Sequence, residues 1–143
     1  MDLNGNFDEI KLPCSPKNIG VMINMFVAEA IGTFTLCGVI LSQKYNNDAP
    51  GTYKAFAVGL TLTCAALTIG GVSGGCLNPA VGLVQTFFQS IMFNPRFEYG
   101  SLPVYILGPL MGGVLAGLKG KLDEAATPKK DLITINSVDF DEF

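Results

Sequence analysis

Few of these 143 residues could perform acid–base or nucleophilic chemistry. There is no histidine, which removes the commonest general base and the commonest metal ligand. The cysteines Cys14, Cys37, Cys64 and Cys76 are spaced neither as metal pairs nor as a disulfide framework, and a thiol without a neighbouring base has no activating partner. Cys37 and Cys64 lie in apolar runs and read as small packing residues. Two features remain. Glu29 is a lone carboxylate within an apolar stretch, and Ser73–Phe93 opens on a Gly-rich break followed by Asn78-Pro79-Ala80. Neither is an enzyme's constellation, so no catalysis, cofactor or metal is expected.

The second feature carries a geometric expectation. Asn is a strong N-cap and Pro suits the first helical position, so Asn78-Pro79-Ala80 predicts a helix that starts at Pro79 and runs to about Phe88. At 1.5 Å per residue, about ten residues cover roughly half of a bilayer's hydrocarbon core. Ser73–Phe93 is apolar enough to lie in the membrane, so this is a re-entrant half-helix preceded by a loop, Val72–Leu77, at depth. Such backbone is tolerated only where it is buried in protein or lines a water-filled cavity. The loop carbonyls and the Asn78 amide would line that cavity, with Gly75 and the Cys76 thiol at its border. The positive end of the half-helix would disfavour cations there.

An intramembrane carboxylate needs a partner. The loop has spare N–H groups between Gly74 and Leu77, so Glu29 is expected to be a structural anchor that accepts from them. A proton relay is the weaker reading, because no second titratable group lies in the apolar segments. Gln at this position is expected to be a mild change, since an amide can still accept.

The elements that position these residues are apolar spans. Charged residues make up 15% of the chain against about 25% in a typical soluble domain, and the mean hydropathy is +0.42. Most of the charge sits in residues 2–17, between Lys44 and Lys54, and after Lys119. That is the layout of a membrane protein with polar ends and one polar loop. Ile19–Leu41, Ala55–Val72 and Leu102–Leu118 are each near the length that crosses a bilayer. Pro103 fits a first helical turn, and Pro109 is expected to kink the third span. Small residues recur one turn apart at Ala28 and Gly32, Gly59 and Thr63, Gly108 and Gly112, and Gly113 and Gly117. All four pairs are expected at helix–helix contacts. The first fifteen residues contain Asp2, Asp8 and Glu9 and no apolar core, so insertion is expected to use an internal span.

The ordered set of FVAEAIGTF, AFAVGLTLT leading into SGGCLNPAV, and YILGPLMGGVLAG resembles one repeat of the aquaporin (major intrinsic protein) family, over about Phe26–Leu118. The resemblance implies an all-α membrane protein with three transmembrane helices and one re-entrant Asn-Pro-Ala half-helix, half of that family's fold. It implies residues 19–118 as the half-repeat, flanked by a polar segment, 1–18, and a polar acidic tail, 119–143. Family members carry two such repeats inserted in opposite orientation, so a pore would need a second, inverted half. The resemblance also marks pore positions. Asn78, Pro79 and Ala80 carry the motif. Val81 stands where the second repeat usually has Arg, Ala66 where that repeat often supplies a His, and Val58 where the first repeat has a bulky aromatic.

Basic residues set an expected orientation. Lys11, Lys17 and Arg96 fall on one side of the membrane, and Lys44, Lys54, Lys119 and Lys121, with Lys129 and Lys130, on the other. The excess puts the C-terminus on the cytoplasmic or equivalent inner side, in a plasma, vacuolar or mitochondrial inner membrane. That orientation and the Gly-Pro of the third span resemble the second repeat, although the motif's NPAV resembles the first. Two functional readings follow: an aquaporin-like channel component passing water or small neutral solutes with an inverted second half-repeat, and a non-conducting accessory subunit of a larger membrane complex, respiratory or otherwise energy-converting. The expected partners are the lipid bilayer and other membrane subunits or copies, in a homo- or hetero-oligomer. Phe140 and Phe143 are candidate anchors in a partner's groove. With a net charge of −3 and no basic face, nucleic acid is not expected.

Overall fold

The computed structural model describes residues 18–45, 50–92 and 99–126, so the expectations for Lys11, Cys14, Lys17, Arg96, Lys129, Lys130, Phe140 and Phe143 fall outside the described residues. Four helices occur in them: α1 (Ile19–Tyr45), α2 (Gly51–Ser73), α3 (Pro79–Met92) and α4 (Leu102–Ala126), the last entered through a 3₁₀ turn, Tyr99–Ser101. No strand is present among the described residues. Helices α1, α2 and α4 are long and apolar enough to cross a membrane, and α3 carries a shorter apolar stretch, Pro79–Phe88. The all-α architecture of three spans and one half-helix is therefore the observed one.

The helices outrun the apolar segments that signal them. α1 continues through Ser42, Gln43 and Lys44, and α4 through Lys119 to Ala126, because most of these residues are good helix formers and the single Gly120 costs only about 1 kcal/mol. Lys119 and Asp123 pair one turn apart on the polar extension of α4. α2 begins at Gly51, earlier than Ala55, directly after the extended backbone of Pro50. α3 passes Phe88 and reaches Met92, since the first strong stop in the sequence is Asn94-Pro95. α4 runs through the buried Pro109 as one helix.

α1 packs against both α2 and α4, and α3 packs against α4. Two of the expected small-residue pairs make these contacts. A Cβ on Gly112 would strike the Ala30 carbonyl and lie 2.9 Å from Phe34 N and 3.0 Å from Thr33 Cβ, while one on Gly108 would lie 3.0 Å from Glu29 Cβ. Gly32 leaves room for the Leu77 side chain, and a Cβ there would also lie 2.9 Å from Ile69 of α2. The other two pairs do not pack within the chain. Gly59, Gly113 and Gly117 have open space where a Cβ would go, because no other described helix lies against the faces of α2 and α4 that carry them. The core is small and spans the loop: Met25 of α1, Cys76 of the loop, and Val104 and Tyr105 of α4.

Gly112→Ala is expected to destabilise the fold by about 1–3 kcal/mol through overpacking of the α1–α4 contact. Gly113→Ala should stay within about 0.5 kcal/mol or gain slightly from helix propensity. Thermal melts in detergent check this, and equal melts for the two variants would show that Gly112 does not set the approach of the helices.

Candidate functional site: the re-entrant loop and half-helix

α2 ends where the chain turns back. Gly74 adopts a left-handed conformation (φ 91°) and its N–H donates to the Gly70 carbonyl, closing the helix. Gly75 is also left-handed, with φ 66°, and a Cβ there would lie 3.1 Å from the Ala66 carbonyl oxygen, so the loop folds directly over α2. Leu77 has φ 54°, a conformation costing a non-glycine residue about 1 kcal/mol or more. It persists because every part of Leu77 is held: its N–H by Glu29 Oε2 at 2.7 Å, its carbonyl by the Thr33 hydroxyl at 3.2 Å, and its side chain in the gap over Gly32.

Glu29 is fully buried on α1. Its Oε1 accepts from the Ser73 hydroxyl at 2.6 Å and the Cys76 N–H at 3.0 Å, and its Oε2 from the Leu77 N–H. The Gly75 N–H donates to the Ser73 hydroxyl oxygen at 3.3 Å. Every N–H from Gly74 to Leu77 thus has an acceptor, as backbone buried at membrane depth requires. Ser73 was not singled out by sequence reading; its signal is a hydroxyl placed directly before the Gly-Gly break.

The half-helix begins as the motif implies chemically. Asn78 is exposed, its Oδ1 accepts the Ala80 N–H at 2.9 Å, and its carbonyl accepts the Gly82 N–H at 3.0 Å. Asn78 is therefore the N-cap of α3, with Pro79 at the first helical position. Ala80 and Val81 are exposed on its first turn, Val81 at 48%. Gly75 and Ala66 are brought together, and Val58 lies half-buried two turns earlier on α2. Cys76, expected at the border of an aqueous path, is only 7% exposed, and its thiol donates to Gln85 Oε1 of α3 at 3.3 Å. The thiol points into the packing, in the core cluster with Met25, Val104 and Tyr105. No cluster of His, Cys, Asp or Glu able to hold a metal occurs among the described residues.

Comparison with known proteins decides the family. The family model "Major intrinsic protein" matches residues 8–119. The chain belongs to the major intrinsic protein family. Relatives include aquaporin AqpM of Methanothermobacter marburgensis, 33% identical over 64% of this chain and 37% of that protein. A probable aquaporin AqpM of Archaeoglobus fulgidus is 36% identical over 63% of this chain and 36% of that protein. A probable NIP-type aquaporin of Nicotiana alata is 32% identical over 72% and 37%. The chain thus spans little more than a third of the length of these relatives. No solved structure matches it. Within this membrane-protein family, the chain's apolar helices make it an integral membrane protein.

The contacts of Glu29 change the expectation for its replacement. Both carboxylate oxygens accept from backbone N–H groups, so Glu29→Gln turns an NH₂ toward a donor and should cost about 1–3 kcal/mol; Glu29→Leu leaves both N–H groups unpaired and should cost more. Detergent melts of the three forms check the order, and indistinguishable melts would exclude an anchoring role.

Proposed function

We propose that the chain is one half of a membrane channel for water or small neutral solutes, completed by an inverted half-repeat in another segment or another chain. The observation that carries this reading is Asn78. It stands exposed at the tip of a half-helix that starts beyond a loop whose N–H groups all have acceptors, in a member of the major intrinsic protein family. A segment that only filled space would have no need of a buried carboxylate to keep non-helical backbone at membrane depth. The half-repeat is residues 19–118, with polar flanks 1–18 and 119–143, and is second-repeat-like with the C-terminus on the inner side.

In this reading α3's N-terminus supplies a positive field at the constriction, and Asn78, Val81, Ala66 and Val58 surround the path. None of these side chains carries charge, so cation exclusion falls to the helix end and to dewetting by apolar walls. A second reading, a non-conducting accessory subunit of a larger complex, is favoured by the apolar Val81, Ala66 and Val58, which leave Asn78 as the only polar side chain among these four.

Proteoliposomes made from the gently extracted native particle test the proposal by stopped-flow light scattering. Water and glycerol flux above lipid background is expected, and Val81→Arg should cut glycerol flux by about tenfold, a steric and electrostatic barrier of about 1.4 kcal/mol. Flux at the lipid background for both solutes, with several different subunits in the particle, would overturn the channel reading in favour of the accessory one.

A further inference from the structure

We propose that Tyr105 is a positioning residue that sets, from α4, where the half-helix begins. Its hydroxyl donates to the Ser73 carbonyl at 2.6 Å, and the residue is 1% exposed. The same side chain seats the other end of the break. A Cβ on Gly82, in the first turn of α3, would lie 2.6 Å from Tyr105 Cβ and 2.9 Å from Cγ, so α3 rests on this side chain with nothing between. One residue of α4 therefore touches the last residue of α2 and the first turn of α3, and between them lies the loop that carries Cys76 and Leu77.

Ser73 is gripped from two helices at once, its hydroxyl by Glu29 of α1 and its carbonyl by Tyr105 of α4. A tyrosine that merely filled the core would have no use for its hydroxyl, because burying an unpaired O–H is costly and phenylalanine has nearly the same volume. Here the hydroxyl is spent on a backbone carbonyl at the point where the chain leaves the helix. Loss of that bond frees the loop's entry without touching Glu29, so the Cys76–Gln85 contact, which depends on how α3 sits against the loop, becomes the reporter.

The effect on solute passage rests on the channel reading; the effect on the loop does not. Tyr105→Phe and Gly82→Ala are made in the full chain with Cys14, Cys37 and Cys64 replaced by Ala, and the rate of N-ethylmaleimide reaction at Cys76 is followed well below each melt. Tyr105→Phe is expected to speed Cys76 modification about tenfold, the scale of one lost buried hydrogen bond expressed as loop opening, and Gly82→Ala, whose methyl pushes α3 off Tyr105, is expected to speed it at least as much. Ala116→Gly, a helix-weakening change at a buried α4 position remote in sequence from the loop, should leave Cys76 shielded. Unchanged labelling in Tyr105→Phe overturns the proposal, as does equal acceleration in Ala116→Gly, which would mark general loosening. Should the Phe variant fail to fold, Gly82→Ala decides the question by the same criterion. Absence of flux in the parent protein would count against the channel reading alone, while the labelling rates still decide the role of Tyr105.

Discussion

The Glu29 carboxylate sits fully buried on the first span, with the Ser73 hydroxyl and the Cys76 and Leu77 N–H groups aimed at its two oxygens. Each side makes the other tolerable. A carboxylate at membrane depth requires donors, and a non-helical loop at that depth requires acceptors. Remove the carboxylate and the Cys76 and Leu77 N–H groups lose the acceptors that hold them; straighten the loop into helix and the carboxylate loses its donors. The chain's departure from simple spanning helices depends on this exchange.

The rest of the packing serves it. Gly108 and Gly112 let α4 come close enough to α1 for Glu29 and Tyr105 to reach the same residue, Ser73. Gly32 opens the space that Leu77 fills, and Thr33 on the next position accepts the task of holding the Leu77 carbonyl. Leu77 can then keep a left-handed backbone that its side chain disfavours, because its neighbours fix its N–H, its carbonyl and its side chain together. The product of this arrangement is the placement of Asn78 at the exposed start of α3.

Much of this could be read from residue types. Helix, loop and half-helix follow from apolar length, from the Gly-Gly break and from Asn-Pro as a cap, and a lone acid in a span points to a search for donors. What the sequence did not disclose has physical reasons. Hydrophobicity marks only the apolar part of each helix, whereas α1, α3 and α4 continue into polar or less apolar residues, since backbone hydrogen bonding does not require apolar side chains. Small-residue pairs alone do not say which helix they meet, so Gly59 and Gly113 look like Gly32 and Gly112 until the neighbours are placed. The roles of Ser73 and Tyr105 depend on contacts between residues far apart in the chain, and no local pattern encodes them. Tyr105 left one trace: a phenol within an apolar span needs a hydrogen-bond partner.

The loop between α2 and α3 is fixed structure, held by Glu29, and not a mobile connection. Amide hydrogen exchange of the native chain in bilayers tests it at single residues. The Cys76 and Leu77 N–H groups are expected to exchange as slowly as the buried amides of α1 around Met25 and Ala30, because they open only when the Glu29 contacts and the α1–α4 packing open with them. Exchange of Cys76 and Leu77 at the rate of an exposed loop, with α1 still protected, would contradict it.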